Sequence, residues 1–258
     1  MPLAIDIGGD FSSTAGLPVL QDYETLIKAI TGVTDWFTAK DALVTLTSSK
    51  VSSWANRITG GSAFAESDAS QRPVLADDST VGRAISFDRS SQTILQYAGA
   101  GPTGGSAVFS IALVFYMDSA DDGNIRSLLR TTNTGRLAVY LNTANQLIVQ
   151  VDDSAPDSTS INFGTLTRDT WHRLILSWDG TAETLRAKLN TNPVQTNNNS
   201  ANSPQVDSGD YHLFNDGAET TGATGKLREF IRINAELLAA NADDLAILED
   251  YFSDQYGL

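Results

Sequence analysis

The chain has 258 residues, of which 41% are hydrophobic and 19% charged, a balance that supports a folded core and excludes a disordered chain. Its 31 acidic against 17 basic side chains give a formal net charge of -14, which repels phosphate backbones and argues against a nucleic-acid partner. With no cysteine, disulfides, thiolate metal sites and cysteine nucleophiles are excluded.

The N-terminal Met1-Pro2-Leu3-Ala4-Ile5-Asp6 lacks a basic run, so no secretory signal is expected, and no apolar run of about 18 residues exists to insert in a membrane. Residues 1–16, with Gly8, Gly9 and Gly16, read as an extended arm. From Pro18, the apolar Val19, Tyr23, Leu26, Ile27 and Ile30 recur at helical spacing before Gly32, which predicts a helix over 18–30. A second short helix is expected over 34–42. Segments 43–47 and 51–54 then alternate like strands. On this reading residues 1–40 form an arm and helix for docking or oligomerisation, and 41–258 form the main domain.

A polar loop from Gly60 leads to a strand over 84–88. Beyond the glycine-rich 98–105, Ala107, Phe109, Ile111, Leu113, Phe115 and Met117 form a period-two apolar row. Turn residues follow at short intervals, at Asp121-Asp122-Gly123, Asn133-Thr134-Gly135, Asn142-Thr143, Asp152-Asp153, Asp179-Gly180 and Asn215-Asp216-Gly217. The segments between them alternate, as in Leu137, Val139, Leu141 and in Leu174, Leu176, Trp178. Several short strands with such turns indicate an antiparallel sandwich or barrel. The asparagine-rich 191–207 reads as a long polar loop that buries no face, suited to binding or to a solvated surface.

In the last strand, 225–234, alternation places Glu229 on one face with Leu227, Ile231 and Ile233; a buried, hydrogen-bonded carboxylate accounts for it. A final helix follows, with Asn241 as N-cap oxygen, Asp243 and Asp244 in the first turn, Leu245, Leu248, Phe252 and Tyr256 as the buried stripe and Gly257 as the stop.

The order Val51-x-x-Trp54, Gln71-Arg72-Pro73, Ile85-x-Phe87-Asp88, the pair Trp171-His172, the Gly-led strand from Gly225 and the tail from Leu248 together resemble concanavalin A-like lectin/glucanase domains. The likeness is to the laminin-G-like ones of phage virion and bacterial surface proteins and covers roughly 40–258. It implies an all-β fold: a two-sheet antiparallel jelly-roll sandwich with an N-terminal helical segment and a C-terminal helix. It implies a non-enzymatic virion protein, capsid decoration or tail-associated, whose partners are other virion proteins, a second copy of itself or host cell-surface glycans. The alternative is a carbohydrate-binding module of a bacterial surface or secreted protein.

The glucanase branch carries Glu-x-Asp-x-x-Glu on one strand, where alternation presents three carboxylates to the substrate. The nearest match, Glu66-Ser67-Asp68-Ala69-Ser70-Gln71, ends in Gln and lies in a loop, so no catalytic residue is assigned. His172 and His212 have no second ligand at helical spacing for a metal. Calcium is the ion the resemblance implies; Asp118, Asp121, Asp122 and Asn124 offer hard oxygens in one turn, although Asp also favours turns for backbone reasons. For sugar binding, Tyr140 with Asn142 near by, and Trp171, lie opposite the apolar rows and could line a concave surface. The competing assignment makes Trp54, Trp171 and Trp178 core residues.

Overall fold

In a computed structural model, residues 21–98, 107–119, 124–132, 136–152, 158–198, 209–215 and 222–258 are described. After helix α1 (Tyr23–Ala29) come β1 (Val33–Thr38), a 3-10 turn at Asp41–Leu43, β2 (Val44–Thr47), β3 (Lys50–Trp54), β4 (Phe64–Ala65), β5 (Val74–Asp78), β6 (Gly82–Phe87) and β7 (Leu95–Tyr97). Next are β8 (Val108–Met117), β9 (Arg126–Thr131), β10 (Arg136–Leu141), β11 (Gln146–Asp152), β12 (Ser158–Thr165) and β13 (Trp171–Asp179). The chain ends with β14 (Thr184–Leu189), β15 (Gln195–Asn198), β16 (Tyr211–Leu213), β17 (Gly225–Ile233), α2 (Leu237–Ala240) and α3 (Ala242–Tyr256).

These strands form two antiparallel sheets, the expected sandwich. One runs β15-β14-β13-β8-β17-β6-β5, with β1 also on β17; the other runs β12-β11-β10-β9-β16-β7-β4-β3-β2. Phe109, Ile111, Leu113, Phe115, Leu174, Leu176 and Trp178 point between the sheets and meet Leu137, Val139, Val149, Tyr211 and Leu213 from the other layer. The opposite face of the first sheet is apolar too. Ala112, Val114, Ile175, Ile231 and Ile233 lie there beneath Ile27 of α1 and Leu248, Tyr251 and Phe252 of α3. Strands β8, β13 and β17 are therefore covered on both sides, which is why they read as nearly continuous apolar runs. Each fully buried aliphatic or Phe side chain in these layers contributes roughly 1.5–3 kcal/mol.

The expected second helix over 34–42 is instead strand β1 and a short 3-10 turn. Val33, Trp36 and Phe37 suit a pleated surface, and Val33 to Thr38 pair with Ile233 to Glu229. The predicted first helix is observed as Tyr23–Ala29, capped by Asp22, whose carboxylate accepts from the Thr25 amide. The arm 1–16 lies outside the described residues. Part of the supposed polar loop, Gln195–Asn198, is an exposed edge strand against β14, held where the Asn197 amide donates to the Ser160 carbonyl at 2.7 Å. Asn241 does not cap α3 with its oxygen; its Nδ2 donates to the Glu236 carbonyl at 2.8 Å. Gly257 does end α3, in the left-handed region at φ 68.

The last strand departs from simple alternation. Leu227 pairs with Phe115 but Glu229 pairs with Val114, so Arg228 is an extra residue on β17. The bulge reverses the facing downstream: Leu227 and Phe230 enter the inter-sheet core, while Ile231 and Ile233 turn toward the helices. Glu229 thus shares a face with Ile231 and Ile233 and not with Leu227. Arg228 Nη1 donates to the Arg83 carbonyl at 2.8 Å and to the Ala39 carbonyl, tying β17 to the two strands that share its far edge.

Candidate functional site

Three neighbouring strands bring a row of side chains to one end of the helix-covered face. Trp171 on β13 lies opposite Tyr116 on β8, and Tyr116 lies opposite Lys226 on β17. The Tyr116 and Trp171 ring centroids are 5.7 Å apart, and the Lys226 ammonium sits 5.0 Å from the Tyr116 centroid. Asp78, at the end of β5, accepts from Trp171 Nε1 at 3.1 Å and from Lys226 Nζ at 2.8 Å. Across the row, Asp169 Oδ1 accepts from the Tyr116 hydroxyl at 3.1 Å and from the Ser119 amide at 3.0 Å.

These groups line an open recess of about 350 Å³ with Ser79, Thr80 and Thr170, closed on one side by Tyr256, Gly257 and Leu258. That volume falls within the roughly 300–1,000 Å³ of ordinary small-molecule sites. Burial works against the Asp78 carboxylate, yet Lys226 and the Thr80 and Val81 amides together hold it below the ordinary carboxylate value. Hydrogen bonds from Ser119 and then Tyr116 lower Asp169 as well, and burial first, then Asp169, raises the Tyr116 hydroxyl. At neutral pH Asp78 and Asp169 are therefore carboxylates and Tyr116 a protonated phenol. The hydroxyls of Ser79, Thr80 and Thr170, the second oxygen of Asp169 and the remaining hydrogens of Lys226 can exchange hydrogen bonds with a hydroxyl-rich ligand. Tyr116, half-buried, is the aromatic with surface to offer.

The structure does not bring the expected sugar-binding residues together. Trp171 is only 6% exposed and packs in the outer apolar layer, so it supports Tyr116 and Asp78 and presents no face. Tyr140 lies on the outer face of the other sheet, where its hydroxyl donates to Gln150 Oε1 at 2.8 Å. Asn142 organises the β10–β11 turn: its oxygen accepts from the Ala144 and Gln146 amides and its nitrogen donates to Gln146 Oε1. Trp54 and Trp178 are core residues.

Of the four oxygens considered for calcium, Asp121 and Asp122 lie outside the described residues. The Asp118 carbonyl accepts from Arg168 Nε at 3.0 Å, and Asn124 is exposed. Among the described residues no three His, Asp or Glu side chains gather as a metal site. Glu66 and Asp68 serve their own loop, accepting from the Asp68 and Ser70 amides at 2.7 and 2.8 Å. His172 is neutral and structural: Nε2 donates to the Thr167 carbonyl at 2.7 Å, Nδ1 accepts from Asn190, and burial lowers its basicity.

Glu229 is fully buried between β17 and α3. Oε2 accepts from Trp36 Nε1 at 3.1 Å; Oε1 accepts from the Tyr251 hydroxyl at 2.7 Å and from the Tyr256 hydroxyl. Its donors are side chains, so it anchors the helix and leaves no lone pair aimed at solvent. Burial raises the carboxyl above its ordinary value, against the Tyr256 hydrogen bond and the nearby Arg228, and burial and Glu229 push both tyrosine hydroxyls up.

A family model described as the concanavalin A-like lectin/glucanases superfamily matches residues 89–241. The chain belongs to the concanavalin A-like lectin/glucanases superfamily. No curated protein matches this member of the superfamily. Among solved structures, the binding domain of Paraclostridial Mosquitocidal Protein 1 is similar at 11% identity and a TM-score of 0.64, over 89% of this chain and 53% of that one. The receptor binding domain of botulinum neurotoxin D is similar at 9% identity and a TM-score of 0.58, over 85% and 52%. A Trypanosoma rangeli sialidase shares the fold at 12% identity and a TM-score of 0.51, over 86% of this chain and 33% of that one. The chain thus spans about half the length of the two toxin domains, and the likeness concerns the concanavalin A-like fold. No helix among the described residues is long and apolar enough to cross a membrane.

Proposed function

We propose that this chain is a non-enzymatic binding module that takes a carbohydrate on a cell-surface receptor in the recess at Tyr116. The observation that carries this is the cross-strand row Trp171, Tyr116, Lys226 with Asp78 and Asp169 fixed around it. A half-buried aromatic held beside hydrogen-bonding groups that are already oriented suits a hydroxyl-rich ligand at low ordering cost. The names of the two toxin domains, both binding domains, support the same reading. Glu66 and Asp68, the nearest match to a glucanase carboxylate set, are engaged in their own loop, which supports a non-enzymatic reading.

The setting proposed for this module is attachment of a phage virion, as a capsid decoration or tail-associated protein, with a bacterial surface or secreted protein as the alternative. Its support is the likeness of the strand motifs to both groups. Capsid or tail genes beside the reading frame would fit the first; genes for surface export or polysaccharide use would overturn it.

Glycan-array binding tests the recess. Wild-type chain should retain defined glycans, and Tyr116→Ala and Asp169→Asn should each weaken retention roughly tenfold, the loss of one or two hydrogen bonds. Retention unchanged in both variants, or abolished only by Tyr140→Ala, would move the site to the other sheet. No retention of any glycan would overturn the carbohydrate reading.

A further inference from the structure

On the same face of the first sheet, a second recess of about 180 Å³ opens between α1 and α3, lined by Gln21, Tyr23, Glu24, Trp36, Lys40, Arg57, Tyr251 and Gln255. It is smaller than the roughly 300 Å³ of drug-sized sites, so it suits one small group. In a chain of net charge -14 it is unusual in carrying two cations. The Arg57 guanidinium lies 3.6 Å from the Trp36 ring centroid, its backbone amide donates to the Trp36 carbonyl at 2.8 Å, and its side chain is 11% exposed. Its position is thus fixed by the fold.

Arg57 Nη2 donates to Glu24 Oε2 at 2.5 Å, a carboxylate that also pairs with Lys28. The remaining guanidinium hydrogens have no acceptor among the described residues. Lys40, at the rim, has no ion-pair partner among the described residues; partial desolvation and then the Arg57 charge make its ammonium a weaker base, against the opposing effect of Glu229 and Glu24. Two like charges line one recess, and the Arg57 charge is felt at Lys40. A shared oxyanion would relieve the repulsion and use those donors in charge-assisted hydrogen bonds.

We infer that this recess is a subsite for the carboxylate of a hydroxylated acid, such as a uronic acid residue, bound by Arg57 and Lys40 with the Gln21 and Gln255 amides on its hydroxyls. Glu24 and the acidic surface around it select against a second negative charge, which disfavours phosphate monoesters and favours a single carboxylate. The subsite is separate from the Tyr116 recess and stands or falls without it.

Titration calorimetry of the full chain with sodium glucuronate, glucose and acetate, at about 0.15 M ionic strength to screen surface charge, tests the inference. Glucuronate should bind saturably, acetate more weakly and glucose not at all. Lys40→Gln should weaken glucuronate roughly tenfold and Lys40→Arg should restore it. In the unmodified chain the Trp36 indole signal should shift on adding glucuronate, a readout that depends on no substitution. Equal binding of glucose, equal binding of acetate, indifference to Lys40→Gln, or a Trp36 signal that does not move would each overturn the assignment.

Discussion

The indole of Trp36 donates to Glu229 at 3.1 Å, joining β1 to the strand that precedes the closing helix. Because Tyr251 and Tyr256 of α3 donate to the other oxygen of the same carboxylate, one buried acid fastens a strand, a sheet and a helix together. Tyr251 also lines the recess at Arg57 and Tyr256 the recess at Tyr116, so this junction sets the walls of both.

Glu229 should give the protein a stability that falls as pH rises. Its folded-state carboxyl titrates above the ordinary 4.5, so its contribution is full below about 4.5 and is lost as pH passes upward through the folded value. Glu229→Gln cannot ionise and removes that dependence. Melting temperatures of wild type and variant should therefore draw together, or cross in favour of the variant, between acidic and neutral pH; curves that stay parallel would show that Glu229 does not titrate in that range. Glu229→Ala should cost about 3 kcal/mol at acidic pH, since it strands the Trp36, Tyr251 and Tyr256 donors, and less as pH rises through the folded value.

His172 should act with the opposite sign. Burial lowers its folded-state basicity below the ordinary 6.5, so its neutral form is favoured and the associated stability is full above 6.5 and lost as pH falls through the folded value. His172→Phe keeps an aromatic against Phe115, now 5.5 Å from the imidazole centroid, and cannot protonate. Acid unfolding followed by circular dichroism should lose part of its slope below pH 6.5 in this variant, and an unaltered slope would assign the acid sensitivity to other groups.

Gly225 marks a close approach of backbones. A Cβ there would run into the Tyr116 carbonyl oxygen and come within 2.6 Å of the Phe214 ring, which stacks on Phe87. Neither neighbour is free to move, so Gly225→Ala should destabilise by roughly 2–4 kcal/mol in urea unfolding. A loss under about 0.5 kcal/mol would mean that β17 shifts along β8 without penalty.

Much of the sandwich is legible in the chain because period-two alternation survives wherever strands are regular, as in the row from Phe109 to Met117. It fails at Arg228, where one extra residue reverses the facing of everything downstream, and no residue type announces a bulge. It also fails over 33–38, where a short segment with acidic and aromatic residues fits either period and is settled by pairing with β17, nearly 200 positions away. The recess at Tyr116 is invisible for the same reason. Tyr116, Trp171, Lys226 and Asp78 come from four strands, and their adjacency is a property of register. The sequence singles out Trp171 as the aromatic opposite an apolar row, but packing against Tyr116 leaves it buried, while on the far sheet Tyr140 donates to Gln150 and Asn142 holds the β10–β11 turn.

Lys226 is the member of that row whose removal separates electrostatics from folding. It pairs with Asp78 while 28% exposed, so solvent screens the pair and Lys226→Met should cost no more than about 1 kcal/mol. Asp78, however, is held below its ordinary 3.8 against the effect of burial, with Lys226 the foremost of the groups that lower it. Without that ammonium, burial acts unopposed by the pair, and the Asp78 carboxyl should titrate at higher pH in an NMR titration. A group with a lowered folded value lends stability above its unfolded value that is lost as pH falls, so acid unfolding of Lys226→Met should also begin at higher pH than in wild type. The Trp171 indole hydrogen, which Asp78 accepts, reports on the same event by its chemical shift. An Asp78 carboxyl that titrates as in wild type would show that the Thr80 and Val81 amides alone hold it, and that Lys226 is free to meet a ligand with its full complement of hydrogens.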